Sequence, residues 1–160
     1  MPDVISDTSP LQYLYQTNLL DLLPTLYQKV LIPQAVFDEL EVGRIHNINL
    51  PDVAQLSWIE IHQVNISPQL IFAVDLGLGE REVLSLATQV SHSLALLDDA
   101  LARQHAKLLN IPFTGTLGVL LRAKKEGHLN LIAPVLNQLD NLRFRLDVKT
   151  HNAVLKIAGE

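Results

Sequence analysis

Five acidic residues stand at positions where their carboxylates could act together. Asp7 directly follows a short apolar run at 4–6, and Asp98 and Asp99 directly follow a second run at 94–97. A continuous apolar run of this length is typical of a strand that is buried on both faces of a parallel sheet. Because the carboxyl ends of parallel strands meet at one crevice, we expect these three acids to lie near one another.

Two glutamates are expected to join them from neighbouring helices. Glu80 begins an apolar helical stripe that runs to Ala87, so its carboxylate is expected to face the sheet at the rim of the crevice. Glu39 shares a helical face with Val36, and this face is also expected to be buried. Glu82 lies on a mixed face of the same helix as Glu80, and we therefore prefer Glu80 as the candidate.

A group of carboxylates in one crevice favours a bound cation. Like charges repel one another, and such a cluster persists where a cation neutralises it. Ligation by oxygen alone favours Mg²⁺ or Mn²⁺, which orient and deprotonate water and stabilise a pentavalent phosphate. Each acid taken singly also has a structural explanation. Asp99 suits a helix cap, and Glu39 or Glu80 suits a surface carboxylate near a helix amino end.

The elements that must position these acids alternate between strand and helix. This order predicts an α/β protein with three layers, α/β/α, around a central and mostly parallel sheet. We expect one domain over residues 1–160, without an internal repeat or a long linker. Strands are predicted at 4–6, 29–32, 58–62, 94–97 and 111–113. Helices are predicted at about 10–18, 33–42 (ended by Gly43), 68–75, 80–90, 99–109, 117–125 and 132–139.

The composition supports a folded domain and excludes several classes of protein. Hydrophobic residues make up 48% of the chain and charged residues 18%, which excludes intrinsic disorder. The lack of cysteine excludes a disulfide scaffold and a cysteine nucleophile, and it fits a reducing compartment. No apolar run reaches the roughly 18 residues of a membrane span, and no secretory signal begins the chain. We therefore expect a cytoplasmic protein with no membrane partner.

The charge is distributed unevenly along the chain. The net charge of −5 argues at first against nucleic acid as a partner. Residues 1–80, however, hold two basic and ten acidic residues, whereas residues 81–160 hold ten basic and seven acidic residues. This division is compatible with RNA binding. The basic residues that are candidates for holding phosphates, with a solvated surface as the alternative, are Arg122, Lys124, Lys125, Arg143, Arg145 and Lys149.

Several segments, taken in order, resemble the PIN-domain family. The opening segment and three later acidic segments carry the resemblance, and two more segments extend it toward a bacterial subgroup related to VapC-type toxins. The resemblance covers about residues 4–135. The segments are Ile-Ser-Asp-Thr-Ser-Pro-Leu at 5–11, Ile-Pro-Gln-Ala-Val-Phe-Asp-Glu-Leu at 32–40, Leu-Gly-Glu-Arg-Glu at 78–82, Leu-Asp-Asp-Ala-Leu-Ala-Arg at 97–103, and then 114–120 and 123–127.

The resemblance implies a PIN fold and a ribonuclease that hydrolyses RNA phosphodiester bonds with Mg²⁺ or Mn²⁺. It also implies the toxin of a type II toxin–antitoxin pair, with a cognate antitoxin as partner. Carried over by position, the catalytic and metal-binding acids are Asp7, Glu39, Glu80 and either Asp98 or Asp99, and spacing from the strand favours Asp99. The third acid is a glutamate where such proteins more often have aspartate, and its longer side chain changes the metal geometry.

A non-enzymatic alternative is a catalytically inactive PIN-like module that binds protein or RNA. Two other enzyme classes are weak alternatives. A haloacid dehalogenase phosphatase needs a second aspartate two residues after the first, and Ser9 stands at that position. A response-regulator receiver domain needs an early acidic pair, whereas Thr8 follows Asp7.

Other residues near the acids have expected roles. Ser6, Thr8 or Ser9 is expected either to hydrogen-bond a metal ligand or a phosphate, or to cap the helix that follows. Arg103 stands one helical turn after Asp99, and we expect the two to form an ion pair. The surplus of leucine in a small domain leads us to expect a homodimer.

Overall fold

The computed structural model describes residues 1–160, in which eight α-helices surround one five-stranded sheet. This architecture is the predicted three-layer α/β/α fold. The strands are β1 (Asp3–Ser6), β2 (Val30–Pro33), β3 (Ile59–His62), β4 (Ser93–Leu96) and β5 (Phe113–Thr114). The helices are α1 (Thr8–Gln16), α2 (Leu22–Tyr27), α3 (Gln34–Ile45), α4 (Leu78–Gln89), α5 (Ala100–Leu108), α6 (Thr116–Lys125), α7 (Ala133–Asn141) and α8 (Val148–Ile157), with short 3₁₀ turns at Val53–Gln55 and Pro68–Leu70.

The strand order places the end of β1 beside the end of β4. The sheet runs β3-β2-β1-β4-β5, and every neighbouring pair is parallel. Ser6 of β1 lies opposite Leu96 of β4, so the residues that follow these strands leave the sheet at the same edge. A parallel sheet of this kind presents its crevice at this edge.

The core that holds this edge in place is aliphatic. All four residues of β2 and three of the four residues of β1 are buried, which requires cover on both faces of the sheet. The largest fully buried side chains are leucines and isoleucines only, in keeping with a sequence rich in leucine and poor in aromatic residues. No helix combines the length and the apolar character that crossing a membrane requires.

Two predicted elements differ from the observed ones. Gly43 does not end α3, which continues to Ile45. A Cβ at this position would collide with the side chain of Leu50, so glycine serves close packing here and not helix termination. The helix predicted at 68–75 is only the 3₁₀ turn at Pro68–Leu70. Helices α2 and α8 were not predicted.

Candidate active site

Asp7 stands at the carboxyl end of the central strand. Its backbone N–H donates to the Leu96 carbonyl at 3.1 Å, which continues the pairing of β1 with β4. Asp7 occupies the N-cap position of α1, yet its side chain makes no capping hydrogen bond. The residue is only 6% exposed. Because the side chain does not cap the helix, helix capping does not explain a buried aspartate at this position.

The electrostatic environment joins Asp7 to three other candidate acids. Burial raises the pKa of Asp7 to about 7, and repulsion from Glu80, Glu39 and Asp98 contributes to this rise, against a lowering hydrogen bond from the Thr8 backbone. Both causes disfavour the charged carboxylate. The acids that were grouped from the sequence therefore influence one another in the folded chain, and a cation would relieve their repulsion.

We call the five candidate acids together the acidic region, and Glu80 and Asp99 form its second part. Glu80 lies in the first turn of α4, where burial raises its pKa, and repulsion from Asp99 and Glu39 adds to this shift. Asp99 is the N-cap of α5, and its Oδ2 atom accepts a hydrogen bond from the Ala102 N–H at 2.9 Å. The expected capping role of Asp99 is confirmed, and the cap leaves its second carboxylate oxygen free.

Asp98 is held more firmly than Asp99. Its two carboxylate oxygens accept hydrogen bonds from the backbone N–H and the hydroxyl of Thr116, both at 2.7 Å. Burial raises the pKa of Asp98, while these two bonds and the Arg103 charge lower it. The start of α6 approaches this closely because Gly115 has no side chain, since a Cβ there would lie 2.6 Å from Asp98 Oδ1.

Glu39 lies at the border of the acidic region. The residue is exposed, so the predicted buried face of α3 at this position is wrong. Its carboxylate is nevertheless held from two sides. The Thr8 hydroxyl donates to Oε2 at 2.5 Å, and Gly79 lies so close that a Cβ there would be 2.6 Å from Oε1. Thr8 thus orients a candidate metal ligand, which is one of the two roles expected of it.

Glu82 has a structural role that separates it from Glu80. It is buried, and its Oε1 atom accepts a hydrogen bond from the Ala35 N–H at 3.1 Å, in the first turn of α3. The mixed face of α4 to which Glu82 belongs is buried over most of its length, and Glu82 is more buried than Glu80. The preference for Glu80 over Glu82 stays a prediction, and the two glutamates offer a matched pair for mutation.

A cleft of about 570 Å³ opens over the strand ends. Four of the five candidate acids line it, and Glu39 instead lines an adjoining groove of about 470 Å³ with Val42, Ile48 and Leu78. The residues that line the cleft are Asp7, Ser9, Tyr13, Glu80, Asp98, Asp99, Ala100, Arg143, Phe144 and Arg145.

These residues fit a divalent cation by their donor chemistry. As the side chains are placed, no group of three acidic or histidine residues surrounds a single ion position. Mg²⁺ is, however, commonly held by one or two carboxylates while it keeps several waters, so a closed set of three is not required. The uncapped, buried carboxylate of Asp7, with its raised pKa, is the observation that supports the fit.

The basic residues near the cleft differ from those expected. Arg103 does not pair with Asp99 but donates from Nε to the Leu97 carbonyl at 2.8 Å, and its guanidinium lies over the Phe113 ring, 5.5 Å from the centroid. The basic run at 122–125 lines a separate pocket beside α8. Arg143 and Arg145 are the two candidates that lie in the acidic cleft.

The aromatic side chains Tyr13 and Phe144 in the cleft were missed in the sequence. Their rings meet edge to face, with centroids 4.9 Å apart and planes at 88°. No short motif marks this pair, since the two residues come from α1 and from the segment after α7. Thr116, in contrast, lies within a segment that already carried the family resemblance.

The parallel α/β/α fold and the acidic cleft at its strand ends define a class of protein in which carboxylates meet at one edge of the sheet. A sequence profile of the PIN-domain family matches residues 3–160, and the chain belongs to this family. PIN domains are generally nucleases that use divalent metals. A comparison with curated proteins finds no match.

Proposed function

We propose that this PIN domain is a divalent-metal-dependent endoribonuclease that hydrolyses RNA phosphodiester bonds with Mg²⁺ or Mn²⁺. The observation that carries the proposal is the state of Asp7, which is buried and does not cap its helix. Burial, together with repulsion from neighbouring acids, raises its pKa to about 7. Burial and repulsion disfavour the charged carboxylate in the metal-free chain, and a bound cation offsets this cost.

Each acid has a distinct task in this proposal. Asp7, Glu80 and Asp99 supply oxygens to the metal, directly or through its bound waters, because each of their carboxylates keeps an oxygen without a side-chain partner. Glu39 completes the site from its border, oriented by Thr8. Asp98 is engaged by Thr116 and acts mainly by fixing the start of α6. The bound cation supplies activation of water and stabilisation of the charge that develops on the phosphate.

The test compares Glu80→Gln with Glu82→Gln in a cleavage assay on single-stranded RNA. Both variants exchange a carboxylate for an amide on one helix, but only Glu80 lines the cleft. We expect wild type and Glu82→Gln to cleave with Mn²⁺. Glu80→Gln and Asp7→Asn are expected to lose more than about 100-fold in rate. Equal rates for Asp7→Asn and wild type, purified side by side, would refute the assignment.

A catalytically inactive binding module is the second candidate function. Three of the five acids are engaged in hydrogen bonds that a purely structural role explains, namely Glu39 with Thr8, Asp98 with Thr116 and Asp99 with Ala102. Titration of the chain with Mn²⁺ by calorimetry separates the two candidates. The nuclease binds Mn²⁺ in wild type and not in Asp7→Asn, whereas the module binds none in either.

The finer proposal is that the chain is a cytoplasmic toxin of the VapC-like subgroup with a cognate antitoxin. The groove next to the cleft supports such a partner. It exposes Val42, Ile48 and Leu78 beside the acidic Asp38 and Glu39, which suits an amphipathic segment with apolar anchors and basic flanks. Co-expression with the protein encoded by the neighbouring gene should suppress RNA cleavage. Val42→Glu should abolish this suppression and leave the cleavage itself unchanged.

A further inference from the structure

The segment that follows α7 lines the acidic cleft and carries two arginines. Arg143, Phe144 and Arg145 all line the cleft, and we call these three residues the arginine strap. The strap approaches from the side of α7, whereas the carboxylates come from the strand ends and from α4. Anionic and cationic side chains therefore share one cleft of about 570 Å³.

Local backbone structure fixes the strap at its first residue. The Arg143 N–H donates to the Asp140 carbonyl at 3.1 Å, and the Phe144 N–H donates to the Leu139 carbonyl at 3.0 Å. This pair of bonds is the Schellman arrangement, which requires a left-handed residue after the helix end. Arg143 takes this conformation with φ of 64°, although glycine or asparagine is usually found there.

Tertiary packing fixes the strap at its middle residue. The Phe144 ring packs edge to face against Tyr13 of α1, at 4.9 Å between centroids. Tyr13 and Ser9 both line the cleft, and both belong to α1, which begins directly after Asp7. The strap is thus anchored to the helix that follows the central strand, and its two arginines are held on either side of the anchor.

The two guanidinium groups are left without an anionic partner in the chain. None of the six ion pairs of the structure includes Arg143 or Arg145. Other arginines are engaged: Arg44 pairs with Glu41 and Asp52, and Arg122 pairs with Glu126 and lies over Tyr27. Two exposed arginines inside an acidic cleft, paired with none of its carboxylates, are available for an external anion.

We propose that the arginine strap binds the phosphates of a single-stranded nucleic acid that enters the acidic cleft, an inference that rests on the proposed function. Guanidinium groups bind phosphate oxygens by two parallel hydrogen bonds, and their flat faces tolerate any base. The partly exposed Tyr13–Phe144 pair offers aromatic surface to an unpaired base, which a duplex cannot present. The strap holds the nucleic-acid strand, and the carboxylates of the same cleft hold the metal.

The test measures binding apart from cleavage. Anisotropy of a short fluorescent oligouridine is recorded in EDTA at increasing salt, for wild type, Arg143→Gly, Arg145→Gln and the double variant. Glycine at 143 suits the left-handed turn, so this change removes the charge and keeps the strap in place. Lys125→Gln, in the separate pocket beside α8, is the control of equal charge.

We expect about tenfold weaker binding for each arginine removed. The slope of log K against log salt is expected to fall by roughly 0.7 for each lost phosphate contact, hence by about 1.4 in the double variant. Lys125→Gln should keep the wild-type slope. The thermal unfolding midpoint of each variant is measured alongside. A variant whose salt slope falls while its midpoint stays at the wild-type value has lost phosphate contacts and not its fold.

Several results would refute the proposal that the arginine strap binds phosphates. Wild-type affinity and slope in the double variant would do so, as would failure of wild type to bind the oligouridine. Equal binding of a duplex would refute the preference for a single strand, and competition by polyglutamate at equal charge would refute recognition of phosphate. A chain that binds through its arginines and yet shows no cleavage with Mn²⁺ would refute the proposed nuclease and support the strap.

Discussion

Replacement of Asp7 by asparagine should stabilise the metal-free chain at neutral and alkaline pH, in a manner that depends on pH. The pKa of Asp7 rises from 3.8 to about 7 on folding because the carboxyl is buried among other acids. Between these two values the folded chain holds a proton that the unfolded chain has released, so stability falls as the pH rises. Below pH 3.8 the group is protonated in both states and has no effect on the difference.

The magnitude follows from the size of the shift. Each pKa unit corresponds to about 1.4 kcal/mol, so ionisation of Asp7 costs the folded chain roughly 4 kcal/mol once the pH exceeds 7. The asparagine side chain of the variant cannot ionise. The free energy of unfolding of Asp7→Asn minus that of wild type should therefore grow by roughly 4 kcal/mol between about pH 4 and about pH 7, and then remain constant.

Urea unfolding in EDTA, followed by the fluorescence of the single tryptophan, Trp58, measures this difference. Asp21→Asn is the matched control, since Asp21 is exposed and makes no capping hydrogen bond with its side chain. The difference for Asp7→Asn is compared with that of this control, measured over the same range of pH. If the free energy of unfolding of Asp7→Asn minus that of wild type does not change over the same range of pH, the raised pKa assigned to Asp7 is refuted.

Three further predictions concern the neighbours of the acids and the state of assembly. Gly79→Ala should lower Mn²⁺ affinity in calorimetry, because the new Cβ displaces the Glu39 carboxylate, while urea unfolding shows at most about 1 kcal/mol of change; unchanged affinity would show that Glu39 does not contribute. Thr116→Val removes the hydroxyl that donates to Asp98 and should lower the free energy of unfolding by about 2 kcal/mol at neutral pH. The decrease should be smaller at acid pH, because a hydrogen bond to a protonated carboxyl is weaker than one to a carboxylate. An equal decrease at both pH values would contradict this account. Phe72 and Val74 are 87% and 81% exposed, and we expect a homodimer to cover them. Light scattering should therefore give twice the 17.8 kDa of the chain, and Phe72→Asp should return the mass to that of one chain. A monomeric mass for wild type would refute the dimer.

The sequence indicated the strand-end acids because their signal is local. The apolar runs at 4–6 and 94–97 predict buried parallel strands, and the acids that follow them leave the sheet at the same edge. The position of Glu80 in the first turn of α4 also follows from a local pattern, with glycine at its N-cap. In each case the residues that determine the structure lie within a few positions of the acid.

Features that depend on distant partners could not be predicted in this way. Glu82 is buried, and its carboxylate accepts a hydrogen bond from the N–H of Ala35, which lies 47 residues away in the chain. Gly43 is needed for the side chain of Leu50 and not for a helix end. The side-chain pattern of α3 predicted a buried Glu39, but Thr8 and Gly79 hold this carboxylate at an exposed border. Tertiary contacts override local periodicity at each of these positions.

The charge of the cleft explains why the net charge of the chain was a misleading guide to its partners. The cleft lining carries four carboxylates against two arginines, so without a bound cation it is net anionic and weakens, but does not abolish, the attraction of the arginines for a phosphate backbone. One divalent cation bound by the carboxylates brings this lining to neutrality, and Arg143 and Arg145 are the two cationic side chains in it. RNA affinity should therefore rise with divalent metal in wild type, and this rise should vanish in Asp7→Asn although the strap is intact.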